Sequence, residues 1–168
     1  MRVFRTTSAG RLFDTVAALL GFMRPITFEG QAATWLEHLA RNAAAETSAL
    51  PHRVSEGDVD WRDTLAAVIE ARRQGGSTAT IARAFHRAFA RAVAALCRSI
   101  AGESKVSTIV LSGGVMQNGL LQADLRDALS PAFELWTNRA VPPNDGGISL
   151  GQAALAAFDN LDGAVSTR

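Results

Sequence analysis

Apolar residues recur at helical spacing through the first two thirds of the chain, and in short runs ended by glycine through the last third. In "SAGRLFDTVAALLGF" (8–22), Leu12, Phe13, Val16, Leu19 and Leu20 form one apolar stripe, with Ser8 as a cap and Gly21 as a stop. A loop punctuated by Pro25 and Gly30 leads to a second predicted helix over 31–46, with Trp35, Leu36 and Leu39 inward. Residues 47–60 are polar and turn-rich and read as an irregular connection or a short hairpin. Asp60 is placed to cap a third helix, which ends at Gly75-Gly76. A long helix from about Ser77 to Ile100 carries Ile81, Phe85, Phe89, Val93 and Leu96 on its core face.

The last third changes style. "STIVLSGG" (107–114) predicts a short strand stopped by two glycines, followed by the helix "VMQNGLLQADLRDALS". Pro131 breaks that helix, "FELWT" (133–137) predicts a second strand, and "NRAVPPNDGG" leads into a final helix, "ISLGQAALAAFDN". A strand–Gly-Gly–helix unit thus occurs twice, behind a nearly all-helical block. Alternation of this kind argues for an α/β fold class.

Composition narrows the setting. The chain has 168 residues, 48% hydrophobic and 20% charged, which suits one globular domain. A net charge of +1, from 17 basic and 16 acidic residues, gives no bulk attraction to nucleic acid or to an anionic membrane. Cys97 is alone, so no internal disulfide forms, and a reducing compartment fits. No apolar run approaches the roughly 20 residues needed to span a bilayer, and the start lacks the apolar stretch of a signal peptide. A cytoplasmic protein is expected.

Candidate chemistry gathers at the two glycine loops. In "LSGGVMQN" (111–118) a strand runs into two glycines and a helix, which can offer backbone N–H groups to a phosphate, or can serve only close packing. No Lys-Ser/Thr follows, so it is not a Walker A loop. The second pair, Gly146-Gly147, repeats the arrangement; two such loops facing each other could hold a polyphosphate or a metal–phosphate group. Asp145 is there either a cation ligand or the cap of the last helix. Asp14, off the apolar stripe, and Glu29, before Gly30, are solvated acids or ribose partners. Arg83, Arg87 and Arg91 share a helix face, read as solvated in preference to phosphate-binding. His38, His52 and His86 form no metal motif. His86 reads as a packed histidine and Cys97 as a small core residue.

Three stretches together carry a resemblance: "SAGRLFDTVAALLG" with "FEGQAA"; "IARAFHRAFA"; and "VLSGGVMQNGLL" with "VPPNDGGISLGQAA". Over about Thr6 to Ala157 the chain resembles the C-terminal part of the HypF-type carbamoyltransferases, which mature nickel–iron hydrogenases. It is similar, more distantly, to nodulation and antibiotic O-carbamoyltransferases and to tRNA threonylcarbamoyladenosine synthases. The resemblance implies part of an actin-like ATPase (RNase H-like) domain with a largely helical insertion. It implies a helical block over about 8–103 and a strand–helix part over about 106–160.

By position, it implies nucleotide binding by Asp14, Glu29, Gly30, Gly113, Gly114 and Asn118, with Asp145 as a metal ligand. No residue receives a catalytic role. The implied cofactors are ATP or carbamoyl-adenylate and a divalent metal. The implied reaction is carbamoyl transfer to the C-terminal cysteine of a HypE-type acceptor. The family's metal-binding histidine pair and its acylphosphatase-like, zinc-finger and adenylate-forming regions are absent from this sequence. The chain is therefore expected to be a fragment that supplies half a site and is inactive alone. Small-molecule O-carbamoylation and a non-catalytic nucleotide-binding or assembly module are the alternatives. Self-association through an uncovered apolar patch is also expected.

Overall fold

The computed structural model of the chain describes residues 6–44, 47–55, 57–130 and 132–165, with side chains through residue 158. The expected break at Pro131 and the last two residues of the expected second helix lie outside the described residues; that helix already ends at Arg41, with Asn42 as its C-cap, short of the expected 46. The elements are α1 (Ala9–Leu19), α2 (Gln31–Arg41), β1 (Arg53–Ser55), β2 (Asp58–Asp60), α3 (Arg62–Arg73), α4 (Thr78–Ser104), β3 (Thr108–Leu111), α5 (Gly119–Leu129), β4 (Glu134–Thr137) and α6 (Ile148–Val165). Short 3-10 turns, Gly114–Gln117 and Asp145–Gly147, precede α5 and α6.

The caps explain the first helix. Ser8 Oγ accepts from Arg11 N–H at 3.3 Å. At the other end Gly21 has φ +112, and Phe22 N–H reaches back to Ala17 C=O at 2.9 Å while Gly21 N–H reaches Ala18 C=O at 3.1 Å. That left-handed turn satisfies two terminal carbonyls and needs glycine. Gly75 ends α3 in the same way, with φ +79 and Gly76 N–H on Ala71 C=O. Asp60 Oδ1 accepts from Arg62 N–H at 3.0 Å at the start of α3. The polar connection before it is a hairpin, with Arg53 opposite Asp60 and Ser55 opposite Asp58.

α4 is the axis of the molecule. Ten of its residues are buried, six of them alanines, so neighbours close on it from several sides rather than along one stripe. α2, α3 and α5 pack on it, and α1 packs on α2 and α3. Phe13 of α1 lies edge-on to Phe85 and Phe89 at 5.0 and 5.2 Å between centroids, and Trp61 stacks on Phe89 at 5.1 Å. The expected solvated arginine face is corrected for Arg83 and Arg87, whereas Arg91 is exposed as expected. Arg83 is half-buried against Asp124 of α5, and Arg87 donates to the Thr47 carbonyl, because α5 and the segment after α2 cover that side of the helix.

β3 and β4 are parallel and joined through α5, with Thr108 opposite Glu134 and Leu111 opposite Thr137. Leu121, Leu125 and Leu129 fix α5 to the core at i, i+4 and i+8. Leu111 is buried, and Ile109 and Leu135 pack against the core. Val110 and Trp136 are 64% and 58% exposed, on the other side of the strand pair. The apolar residues Ile148, Leu150, Leu155 and Phe158 of α6 are exposed as well.

Candidate nucleotide cleft

The α1–α2 loop and the loop after β3 meet at a small cleft of about 120 Å³. Phe13 forms part of its wall, Glu29 and Gly30 one rim, Thr34 and Glu37 of α2 a side, and Gly114, Gln117 and Asn118 the facing rim. Four of the six nucleotide candidates are therefore brought together. Gly113 adjoins Gly114, and Asp14 is half-buried one residue after Phe13; neither is among the lining residues. Asp145 is exposed and also lies off this lining.

Local structure holds the Glu29 rim in place. Gly30 takes φ +76 and serves as the N-cap position of α2. Gln31 Oε1 accepts from Thr27 N–H at 2.8 Å and ties the loop to the helix that follows. Thr34 Oγ donates to Gly30 C=O at 3.0 Å. Just before the facing rim, Gly113 takes φ +98, where a side chain would be strained. A Cβ on Gly114 would meet nothing within 4 Å, so this glycine opens directly onto free space.

The helix after the glycines begins later than the sequence pattern suggests. Residues 114–117 form the 3-10 turn, and Asn118 is the N-cap of α5, its Oδ1 accepting from Leu121 N–H at 2.8 Å. Glu37 Oε1 accepts from Leu120 N–H at 3.2 Å and is paired with Arg41. The N-terminus of α5 thus already carries a side-chain carboxylate, the kind of group its dipole favours. Glu37 was not among the sequence candidates. Its only signal was an i,i+4 spacing to Arg41, common on any helix.

The two glycine pairs differ. A Cβ on Gly146 would sit 3.0 Å from Pro142 Cγ, and one on Gly147 would sit 3.0 Å from Val141 Cγ1 and 3.1 Å from Pro142 C=O. Glycine is needed there by the loop's own packing. The side-chain cap seen at this loop is Asn144, not Asp145, and it caps the 3-10 turn ahead of the last helix: Asn144 Oδ1 accepts from Gly146 N–H at 3.1 Å. Asp145, the first residue of its 3-10 turn, keeps an exposed carboxylate. Among the described residues no group of three His, Cys, Asp or Glu side chains is close enough to hold a metal. One exposed carboxylate does not make a cation site by itself.

With Glu29 and Glu37 on its walls and neither Lys nor Arg among its lining residues, the cleft is rich in acceptors. Such a surface suits hydroxyl and amino donors better than a phosphate. A larger groove of about 770 Å³ runs between the start of α1 and the β1–β2 hairpin, but it includes none of the candidate residues. Burial raises the Cys97 thiol above its ordinary range, which disfavours the thiolate.

Comparison with known proteins places the chain in a family. Residues 1–152 match the family described as carbamoyltransferase, Kae1-like domain, second subdomain. HypF of Synechocystis is 38% identical over 152 residues, covering 88% of this chain and 19% of that protein. HypF of Rhodobacter capsulatus is 38% identical over 154 residues, with 90% and 20% covered. A tRNA N6-adenosine threonylcarbamoyltransferase of Symbiobacterium thermophilum is 30% identical over 74% of the chain. Full-length HypF solved in a phosphate- and nucleotide-bound form superposes with a TM-score of 0.81 at 38% identity, over 89% of this chain and 24% of that one. HypF of T. kodakarensis gives 0.80 at 31% identity, over 93% and 20%.

The class is that of carbamoyltransferases with an actin-like, Kae1-like fold. Within it, the chain belongs to the HypF carbamoyltransferase family. It spans about a fifth of the length of the curated HypF relatives named above.

Proposed function

We propose that this chain is the C-terminal portion of a HypF-type catalytic domain and supplies one half of a nucleotide site for ATP-dependent carbamoyl transfer. The observation that carries the reading is the meeting of the Glu29-Gly30 turn with Gly114 and Asn118 across one acceptor-lined cleft. Its volume is well below the roughly 300–1,000 Å³ of a complete ligand pocket. A cleft this small needs walls from another part of the protein to hold a nucleotide.

In this reading Glu29 and Asp14 take the ribose hydroxyls, and the Gly30 turn borders the adenosine. The Gly113-Gly114 backbone, free of side chains, lies toward the phosphate. The chain's contribution to catalysis is positioning of carbamoyl-adenylate. Asp145 contributes one carboxylate to a divalent metal whose remaining ligands lie outside this chain. The carbamoyl group passes to the C-terminal cysteine thiolate of a HypE-type acceptor, so the nucleophile is the partner's. Cytoplasmic location fits that partner. Small-molecule O-carbamoylation is distinguished by offering an alcohol beside a thiol-ending peptide.

A non-catalytic assembly module is the second reading, supported by Asp145 standing without a ligand cluster among the described residues. The test is calorimetric titration with a non-hydrolysable ATP analogue and Mg²⁺, beside Asp14→Ala and Glu29→Ala. Binding that both substitutions weaken supports the half-site. Transfer activity restored by the histidine-bearing half in trans would rule out the module, and binding indifferent to both substitutions would overturn the half-site.

A further inference from the structure

His86 is buried in the middle of α4, against the ring edge of Phe13 at 5.2 Å between centroids. Its Nδ1 lies 2.8 Å from the Ala82 carbonyl oxygen, which can only accept, so Nδ1 carries a proton. Asn118 constrains the other nitrogen. Its Oδ1 accepts from Leu121 N–H, which turns its Nδ2 toward His86 Nε2 at 3.0 Å. An amide N–H can only donate, so Nε2 must offer a lone pair. Both constraints select one species, the neutral imidazole protonated at Nδ1.

We infer that His86 is a positioning residue of the cleft: its neutral imidazole fixes the Asn118 amide in the one orientation that caps α5 and holds the Gly113-Gly114 loop opposite Glu29. The link to ligand rests on the half-site reading above. The mechanism is a single hydrogen-bond relay from Ala82 through His86 and Asn118 to Leu121. A proton added at Nε2 would face the Asn118 N–H. Relief requires the amide to turn over, which sets its N–H against Leu121 N–H and removes the cap. Asp124 of α5 and Glu37 of α2 favour the protonated ring, Arg83 of α4 opposes it, and α1 presents the Phe13 ring. Burial outweighs them and pushes His86 below the ordinary histidine range.

The experiment is done on the whole chain. Nitrogen-15 spectra of the imidazole are expected to show Nδ1 protonated and Nε2 bare. Exchange protection of the Leu121 amide is expected to fall with acid, in step with protonation of that ring. His86→Gln, which keeps an acceptor near the Nε2 position, is expected to keep the protection and lose the pH dependence. His86→Phe keeps the shape without the acceptor; it is expected to lose Leu121 protection and weaken the ATP analogue with Mg²⁺ by about fivefold or more, the scale of one buried hydrogen bond. An Nε2-protonated tautomer, or Leu121 protection unchanged in His86→Phe, would overturn the inference. If His86→Phe does not fold, the wild-type titration and His86→Gln still decide it. If the relay behaves as expected while the wild type binds no analogue, His86 positions the loop and the half-site reading is what fails.

Discussion

Arg83 grips Asp124 with both ends of its guanidinium, Nη2 lying 2.6 Å from Oδ1 and Nη1 bonded to Oδ2, and so bolts α4 to α5. The side chains are only 15% and 10% exposed. Removing one partner from such a pair strands a charge largely shielded from water. Arg83→Met is expected to lower unfolding stability by about 3 kcal/mol, and Arg83→Met with Asp124→Leu by clearly less. Denaturant unfolding of the two single variants and the double variant checks this. Equal losses in Arg83→Met and the double variant would contradict it.

Glycines in α4 and after α3 make opposite demands. Gly102 lies within α4 with open space where a Cβ would stand, so Gly102→Ala is expected to add about 0.5–1 kcal/mol. Gly75 needs φ +79, and Gly75→Ala is expected to cost about 1–2 kcal/mol. Thermal midpoints moving in opposite directions are the expected result.

Acid sensitivity begins at the hairpin. Side-chain and backbone hydrogen bonds from Arg62 lower Asp60 from 3.8 to about 2. A carboxylate with a depressed folded value contributes stability above its unfolded value and loses it as pH falls through the folded one. The stability gap between wild type and Asp60→Asn should be constant above about pH 5 and shrink between about pH 4 and pH 2. A gap independent of pH would show that Asp60 acts only through shape.

Asp145→Ala should leave the fold unchanged, within about 0.5 kcal/mol, because the carboxylate is exposed and Asn144 does the capping. In the presence of the histidine-bearing half, the same change is expected to remove metal-dependent transfer. Unaltered transfer would take Asp145 out of the metal site.

The bare side of the strand pair and α6 should make the isolated chain associate with itself at high concentration. Leu155→Asp and Trp136→Ser remove apolar area from two of these patches, 67% and 58% exposed. Sedimentation should show mass rising with concentration for the wild type and less so for the variants. A strictly monomeric wild type would contradict the expectation.

The helices whose ends are set locally were legible in the sequence. Ser8 and Gly21 bracket α1 because a cap and a left-handed glycine act within a few residues of the helix. The start of α5 was misplaced because "VMQ" follows the glycines without a cap of its own. Asn118, a favoured capping residue four positions after Gly114, was the overlooked signal. Arg83 was misread because its helical spacing is the same whether water or Asp124 faces it. His86 was legible as a packed histidine, but neither its partner Asn118 nor the role of Glu37 was, since the partners Asn118 and Leu120 stand 32 and 83 residues away. The cleft was legible in parts: Glu29, Gly30, Gly114 and Asn118 line it, whereas its volume and its second acid are consequences of packing.

The three tryptophans divide the molecule into optical zones. Trp61 is stacked flat on Phe89, at an angle of 6°, and Trp35 is tilted against Phe22, so both emit from partly shielded surroundings. Trp136 stands on the bare strand face and is expected to emit at longer wavelength, as an indole in contact with water does. A protein or second lobe laid over that face would shift the Trp136 emission to the blue, while Trp61 kept its colour. The chain thus carries its own dye on its bare strand face.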